Sequence, residues 1–279
     1  MEIQYNNRLR NPDTPQFIER WTRESERYRS DLEAAGRAEL GLKYGSTSRQ
    51  VVDMFWPEHD TGQPLTVFIH GGYWQLFGPS LFSHLARGAN ERGLPMALIG
   101  YDLCPTVTLE EIVREIRDAV RFLVQRYDRR LVLSGHSAGG HLVAAMLATD
   151  WRAEGLHIPD PIIAGLAISG VFDLAPLMET SMNDALRLTP ATARSLSPIH
   201  WQPPRGKMID AWVGGAESEE FNRQSQEFVD RWRVAGADAR CVPVAAAHHF
   251  TIIAALEDPD SAMVDRLSEF AHRPAVGTP

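Results

Sequence analysis

Seven short apolar runs, each followed by a longer amphipathic or polar stretch, constrain this chain more than any other feature. They are Val51–Trp56, Leu65–His70, Met96–Tyr101, Leu131–Ser134, Ile162–Ser169, Met208–Val213 and Ala239–Val244. Runs this short, apolar at successive positions, suit strands covered on both faces, and the stretches between them supply the helices that cover them. Between the third and fourth runs, Leu109, Ile112, Val113, Ile116, Val120, Leu123, Val124 and Tyr127 keep a 3.6-residue period, which predicts a helix with one apolar stripe. Further helices are expected after Pro79, Ala138, Ser218 and Ser261. The expected fold is α/β, a doubly wound, mostly parallel sheet with helices on both faces.

Two regions stand outside the alternation. In residues 1–40, Phe17, Trp21, Tyr28 and Leu32 recur at helical spacing after a Thr14-Pro15 start signal, which predicts an amphipathic helix on the outside of the fold. Residues 171–204 are rich in Pro, Thr, Met and Asn, and predict an excursion of loops and short helices. An excursion after a strand end commonly covers a site. No repeat or linker composition divides the 279 residues, so one domain is expected over 1–279.

Charge and composition narrow the partners. The net charge is −8 and no Lys/Arg block is present, which argues against a nucleic-acid or anionic-membrane partner and leaves a small molecule. The N-terminus lacks the apolar core of a signal peptide, and no apolar run is long enough to span a bilayer, so a cytoplasmic location is expected. Two cysteines, Cys104 and Cys241, offer neither a disulfide framework nor a metal cluster, and are expected to be structural fillers.

The chemistry concentrates at Gly135-His136-Ser137-Ala138-Gly139, which follows an apolar strand and opens a helix-like run. A G-x-S-x-G match alone arises by accident in roughly one chain in ten of this length. The strand-turn-helix setting makes it a nucleophile elbow, in which glycines avoid backbone collisions while the serine is held strained and exposed. The helix N-terminus beneath Ser137 favours developing negative charge. Upstream, His70-Gly71-Gly72-Tyr73-Trp74 closes the second strand; the N–H groups of Gly72 and Tyr73, with that of Ala138, form a candidate oxyanion hole.

A serine hydroxyl needs a base, and in doubly wound hydrolases the order is serine, acid, histidine. Order and position set aside most of the ten histidines and leave His248 and His249, at the end of the last strand run, where catalytic groups of open parallel sheets gather. For the acid, Glu217 lies in the loop after Met208–Val213. Asp210 competes from a mid-strand position, and Glu219 and Glu220 suit the first turn of the next helix.

On these residues the chain resembles the arylformamidases, or kynurenine formamidases, of the α/β-hydrolase superfamily. The likeness runs from LKYG (Leu42–Gly45) through HGGYW, GYDLCP, GHSAGGHL, SGVFDLAPL, NDALRL, SLSP and ESEEFNRQS to HHF. It implies an α/β-hydrolase fold, Ser137 as nucleophile, His249 as base, the position of Glu217 as acid, and Gly72 and Tyr73 as oxyanion donors. The family usually carries Asp where this chain has Glu217, and often an acidic residue where this chain has His248. The resemblance further implies a formamide substrate such as N-formylkynurenine, two-step acyl transfer releasing formate, no metal or organic cofactor, and a role in tryptophan catabolism; a homodimer is left open. Trp74, Phe77 and Phe172 are candidate aromatic walls, with core packing as their other use. A general carboxylesterase on small esters, or a noncatalytic ligand-binding protein on the same scaffold, are the alternatives.

Overall fold

In the computed structural model, which describes residues 1–273, eight strands form one sheet in the order β1-β2-β4-β3-β5-β6-β7-β8. They are β1 (Ala38–Lys43), β2 (Val51–Phe55), β3 (Leu65–Ile69), β4 (Met96–Ile99), β5 (Leu131–His136), β6 (Ile162–Ile168), β7 (Met208–Gly214) and β8 (Asp238–Val244). The β1/β2 and β2/β4 pairs are antiparallel, and every pairing from β4 through β8 is parallel. Every residue of β3, β5 and β6 is buried, as unbroken apolar runs require.

Both faces of the sheet are covered. On one lie the helices Leu109–Tyr127, Ala138–Ala148 and Glu219–Val234, and on the other Thr14–Ala34, Ala86–Glu91 and Ala262–Ala271. The Leu109–Tyr127 helix buries its expected stripe. Its start is fixed by a capping box in which the Thr108 side chain accepts from Glu111 N–H and the Glu111 carboxylate accepts from Thr108 N–H. Such a cap is worth about 1 kcal/mol. The N-terminal helix Thr14–Ala34 buries Trp21, Tyr28 and Leu32 against Phe55, Phe82 and Phe250, each large side chain contributing roughly 2 kcal/mol.

Residues 171–204 form short helical turns, Ala175–Glu179, Asn183–Leu186, Pro190–Ser195 and Pro198–His200. No helix among the described residues is long and apolar enough to cross a membrane.

Candidate active site

The elbow is built from backbone crowding. Ser137 sits between β5 and the Ala138–Ala148 helix with φ 57° and ψ −118°, a conformation costing a non-glycine residue about 1–3 kcal/mol. The turn closes so tightly that a Cβ on Gly139 would lie 1.9 Å from the Ile69 carbonyl oxygen, and one on Gly135 would lie 2.4 Å from that of Gly139. Only hydrogen fits at either position. Ser137 N–H donates to the Ile168 carbonyl at 2.8 Å, tying the strained residue to the neighbouring strand.

Glu217 lies in the turn after β7 and His249 in the loop after β8, beyond the carboxyl ends of parallel strands. His249 Nδ1 donates to Glu217 Oε2 at 2.7 Å, with both side chains buried. The other carboxylate oxygen, Oε1, accepts from the Ser169 hydroxyl at 2.5 Å and from Gly214 N–H at 2.7 Å. The carboxylate is thus clamped on one oxygen and presents the other to the imidazole. Ser169 itself has φ 49°.

His249 is held from behind by the histidine of the elbow motif. His136 Nε2 donates to the His249 carbonyl at 2.9 Å, with the two rings 4.5 Å apart. Burial, and then the neighbouring His249, push the His136 pKa well below its ordinary value, so His136 acts as a neutral hydrogen-bond donor. Phe221 and Phe250 pack on the His249 ring at 4.9 and 5.6 Å.

Ser137 and His249 line one cavity together with Gly71, Gly72, Tyr73 and Phe77. Gly72 has φ 109°, and a Cβ there would lie 2.4 Å from the Leu76 carbonyl oxygen, so glycine is required at this close approach. Among the described residues, no protein acceptor takes the N–H groups of Gly72, Tyr73 or Ala138. Free donors of this kind suit a developing oxyanion. The cavity measures about 20 Å³, room for roughly one water, so a larger occupant requires its rim side chains to turn.

Of the three aromatic candidates, Phe77 lines the cavity. Trp74 and Phe172 are instead core residues: Trp74 is fully buried with its ring edge-on to His141 at 5.1 Å, and Phe172 stacks on Phe228 at 4.0 Å. Asp210 points away from the serine and pairs with Arg266 through bonds of 2.7 and 3.2 Å. His248 packs edge-on against Phe17, 5.4 Å away, and its Nδ1 accepts from Phe250 N–H. Glu219 and Glu220 open the Glu219–Val234 helix. Burial pushes the Cys104 thiol up to about 11, which leaves it a packing residue.

No residue of 171–204 lines this cavity, and the N-terminal region supplies Arg8 and Trp21 to its wall. Sequence patterning did not single out Arg8, Ser169 or His136 as site residues. His136 had a local signal in its place inside the elbow, whereas Arg8 and Ser169 reach the site only through tertiary packing.

A second Ser-His-Glu cluster lies in the core, and it differs in the features that matter. Ser25 Oγ is 2.6 Å from His84 Nδ1, and His84 Nε2 is 3.5 Å from Glu257. Here the serine donates its proton to the Leu81 carbonyl at 2.8 Å, Glu257 pairs with Arg20 at 2.6 Å, and both Ser25 and His84 are fully buried. Burial pushes the His84 pKa down to about 3. This cluster lies between the Thr14–Ala34 helix and the Pro79–Leu85 turn, with His84 Nε2 and Glu257 Oε1 buried and lacking a hydrogen-bond partner; it offers no path to substrate.

Comparison with known proteins agrees with the geometry. A family profile described as the alpha/beta hydrolase fold matches residues 66–252. Kynurenine formamidase of Danio rerio is 30% identical over 227 residues, covering 78% of this chain and 77% of that protein. The Drosophila melanogaster kynurenine formamidase is 32% identical over 239 residues, with 78% and 77% coverage. Among solved structures, a candidate thioesterase of Silicibacter sp. tm1040 superposes with TM-score 0.87 and 37% identity, covering 96% of this chain and 98% of that one.

Proposed function

The chain belongs to the kynurenine formamidase family of α/β hydrolases, and from that premise we propose that it hydrolyses aryl formamides through Ser137, His249 and Glu217. The observation that carries this reading is the bond from His249 Nδ1 to Glu217 Oε2 beside a cavity that Ser137 and His249 share. With Nδ1 donating to the carboxylate, the free Nε2 lone pair is the one left to take a proton.

In the proposed reaction Ser137 Oγ attacks the formyl carbonyl carbon while His249 Nε2 takes the hydroxyl proton. The carbonyl electrons move onto oxygen, which the N–H groups of Gly72, Tyr73 and Ala138 receive. Collapse of this intermediate breaks the C–N bond, and the imidazolium returns its proton to the departing arylamine. The aromatic ring delocalises the nitrogen electrons, which makes that departure easier than from an alkylamine. Water, deprotonated by the same imidazole, then attacks the formyl ester, releasing formate and restoring Ser137. Glu217 keeps Nδ1 protonated and stabilises the imidazolium; clamped by Ser169 and Gly214, it does so without reorienting.

Glu217 is one methylene longer than Asp, and its carboxylate nevertheless meets Nδ1 at 2.7 Å because the residue sits back in the turn beside the Gly214 N–H. An ester or thioester substrate is the second reading, favoured by the 37% identical Silicibacter structure. Rates on N-formylkynurenine, a p-nitrophenyl ester and an acyl thioester, each scored by the acid released, separate the two. Preference for the formamide supports the first reading, and preference for either ester replaces it.

A further inference from the structure

Arg8 is the sole fixed charge among the described residues that line the cavity, and its guanidinium makes no hydrogen bond or ion pair with any described residue. Arginines such as Arg20, Arg29, Arg129, Arg223 and Arg266 meet carboxylates and are committed elsewhere, whereas Arg8 is placed on the wall of the cavity with its guanidinium available to a ligand. Its central carbon lies 5.8 Å from the centre of the Phe77 ring, on the wall that borders Ser137.

The backbone that delivers Arg8 is fastened to the site. The phenol of Tyr73, a residue of the proposed oxyanion hole, accepts from Asn7 N–H at 2.9 Å and donates to the Tyr5 carbonyl at 2.8 Å. Next to Glu217, Ser218 Oγ donates to the Gln4 carbonyl at 2.7 Å, and the Tyr5 hydroxyl donates to Glu220 at 2.9 Å. Residues 4–7 are therefore bolted to both the Tyr73 loop and the Glu217 loop, while Arg8 itself is exposed. A fixed backbone carrying a cation with no carboxylate partner is what a rim residue needs in order to grip an anionic ligand.

We infer that Arg8 selects aryl formamides whose amine half carries a carboxylate, which its guanidinium grips as the aryl ring lies along Phe77. The inference rests on the formamidase reading and adds to it the residue that makes the enzyme choose among aryl formamides by charge. The formyl group is too small to reach the rim, so the anionic group belongs to the leaving amine. A guanidinium matches a carboxylate through two parallel hydrogen bonds, and a lysine does not reproduce that fork.

The test compares N-formylkynurenine with its carboxamide counterpart, which keeps the shape and removes the charge. The wild-type enzyme should show a KM about tenfold lower for the carboxylate, and Arg8→Ala should abolish that preference by raising KM for the carboxylate at nearly constant kcat. Arg8→Lys should keep part of the preference, and Arg8→Glu should reverse it. A preference unchanged in Arg8→Ala, or an equal loss on both substrates, overturns the inference while leaving the formamidase reading in place. No turnover of either formamide, with p-nitrophenyl acetate still hydrolysed through Ser137, removes both.

Discussion

His249 and Glu217, 32 residues apart in sequence, meet through a 2.7 Å bond from Nδ1 to Oε2 at the ends of two adjacent parallel strands. The bond is buried, and the second carboxylate oxygen is already committed to Ser169 and Gly214. Glu217 is therefore held in one orientation before any substrate arrives.

Loss of the Glu217 charge should be felt in catalysis more than in folding. Glu217→Gln keeps the size but offers His249 either an amide N–H or a weaker acceptor, so kcat should fall by about 10³–10⁴. Glu219→Gln, one helical turn's start away and exposed, should leave kcat within twofold. Steady-state kinetics on N-formylkynurenine check both, and a reversed order moves the acid to another residue.

Asp210 should behave in the opposite way. It is buried and paired with Arg266 on the other side of its strand, so Asp210→Asn should cost about 2–3 kcal/mol by removing the buried partner of a guanidinium that keeps only Glu269. The kcat of the folded variant should match the parent. A stable protein with kcat reduced a hundredfold would make Asp210 part of the reaction.

The elbow glycines give a steric prediction. Gly139→Ala places a methyl 1.9 Å from a carbonyl oxygen of β3, where backbone meets backbone and no rotamer change relieves the clash. It should cost more than about 4 kcal/mol or prevent folding. Gly93→Ala, at φ 75° with nothing within 4 Å, carries only backbone strain and should cost about 1 kcal/mol. Urea unfolding of the pair measures the difference, and equal costs would remove crowding as the reason for glycine at 139.

Buried histidines should make the fold acid-sensitive. Burial pushes both His70 and His141 down to about 4, so the unfolded chain binds protons below its ordinary histidine value that the folded chain refuses. Their contribution is fully present above pH about 6.5 and is lost as the pH falls toward 4, at up to about 1.4 kcal/mol per pH unit for each. The urea midpoint should therefore drop between pH 7.5 and pH 5.5. A midpoint that stays level across that interval contradicts the assignment.

Much of this architecture could be read from the chain before its fold was known, because its signals are local. Unbroken apolar runs mark β2 to β8, and the 3.6-residue stripe marks the Leu109–Tyr127 helix. Strand β1 was not legible: Ala38–Lys43 carries Glu39 and Lys43, contains Gly41 at φ 67°, and pairs at the sheet edge through an irregular register, so no alternation survives. Ser137 and the His248-His249 pair announce themselves by motif and position. Arg8 does not, since its relation to the site is set by Tyr73 gripping the backbone of residues 5 and 7 across more than sixty positions. Trp74 and Phe172 show the converse, because an aromatic residue beside a motif has the same local pattern whether it faces the cavity or the core.

Labelling with a fluorophosphonate, read by peptide mass spectrometry, tests the central claim most directly, because the core also holds a Ser25-His84-Glu257 cluster. One equivalent of label should appear on Ser137, with labelling and formate release both lost in Ser137→Ala and slowed by about three orders of magnitude in His249→Ala. Label found on Ser25 or another serine, or formate still released at the parental rate by folded Ser137→Ala, would contradict it.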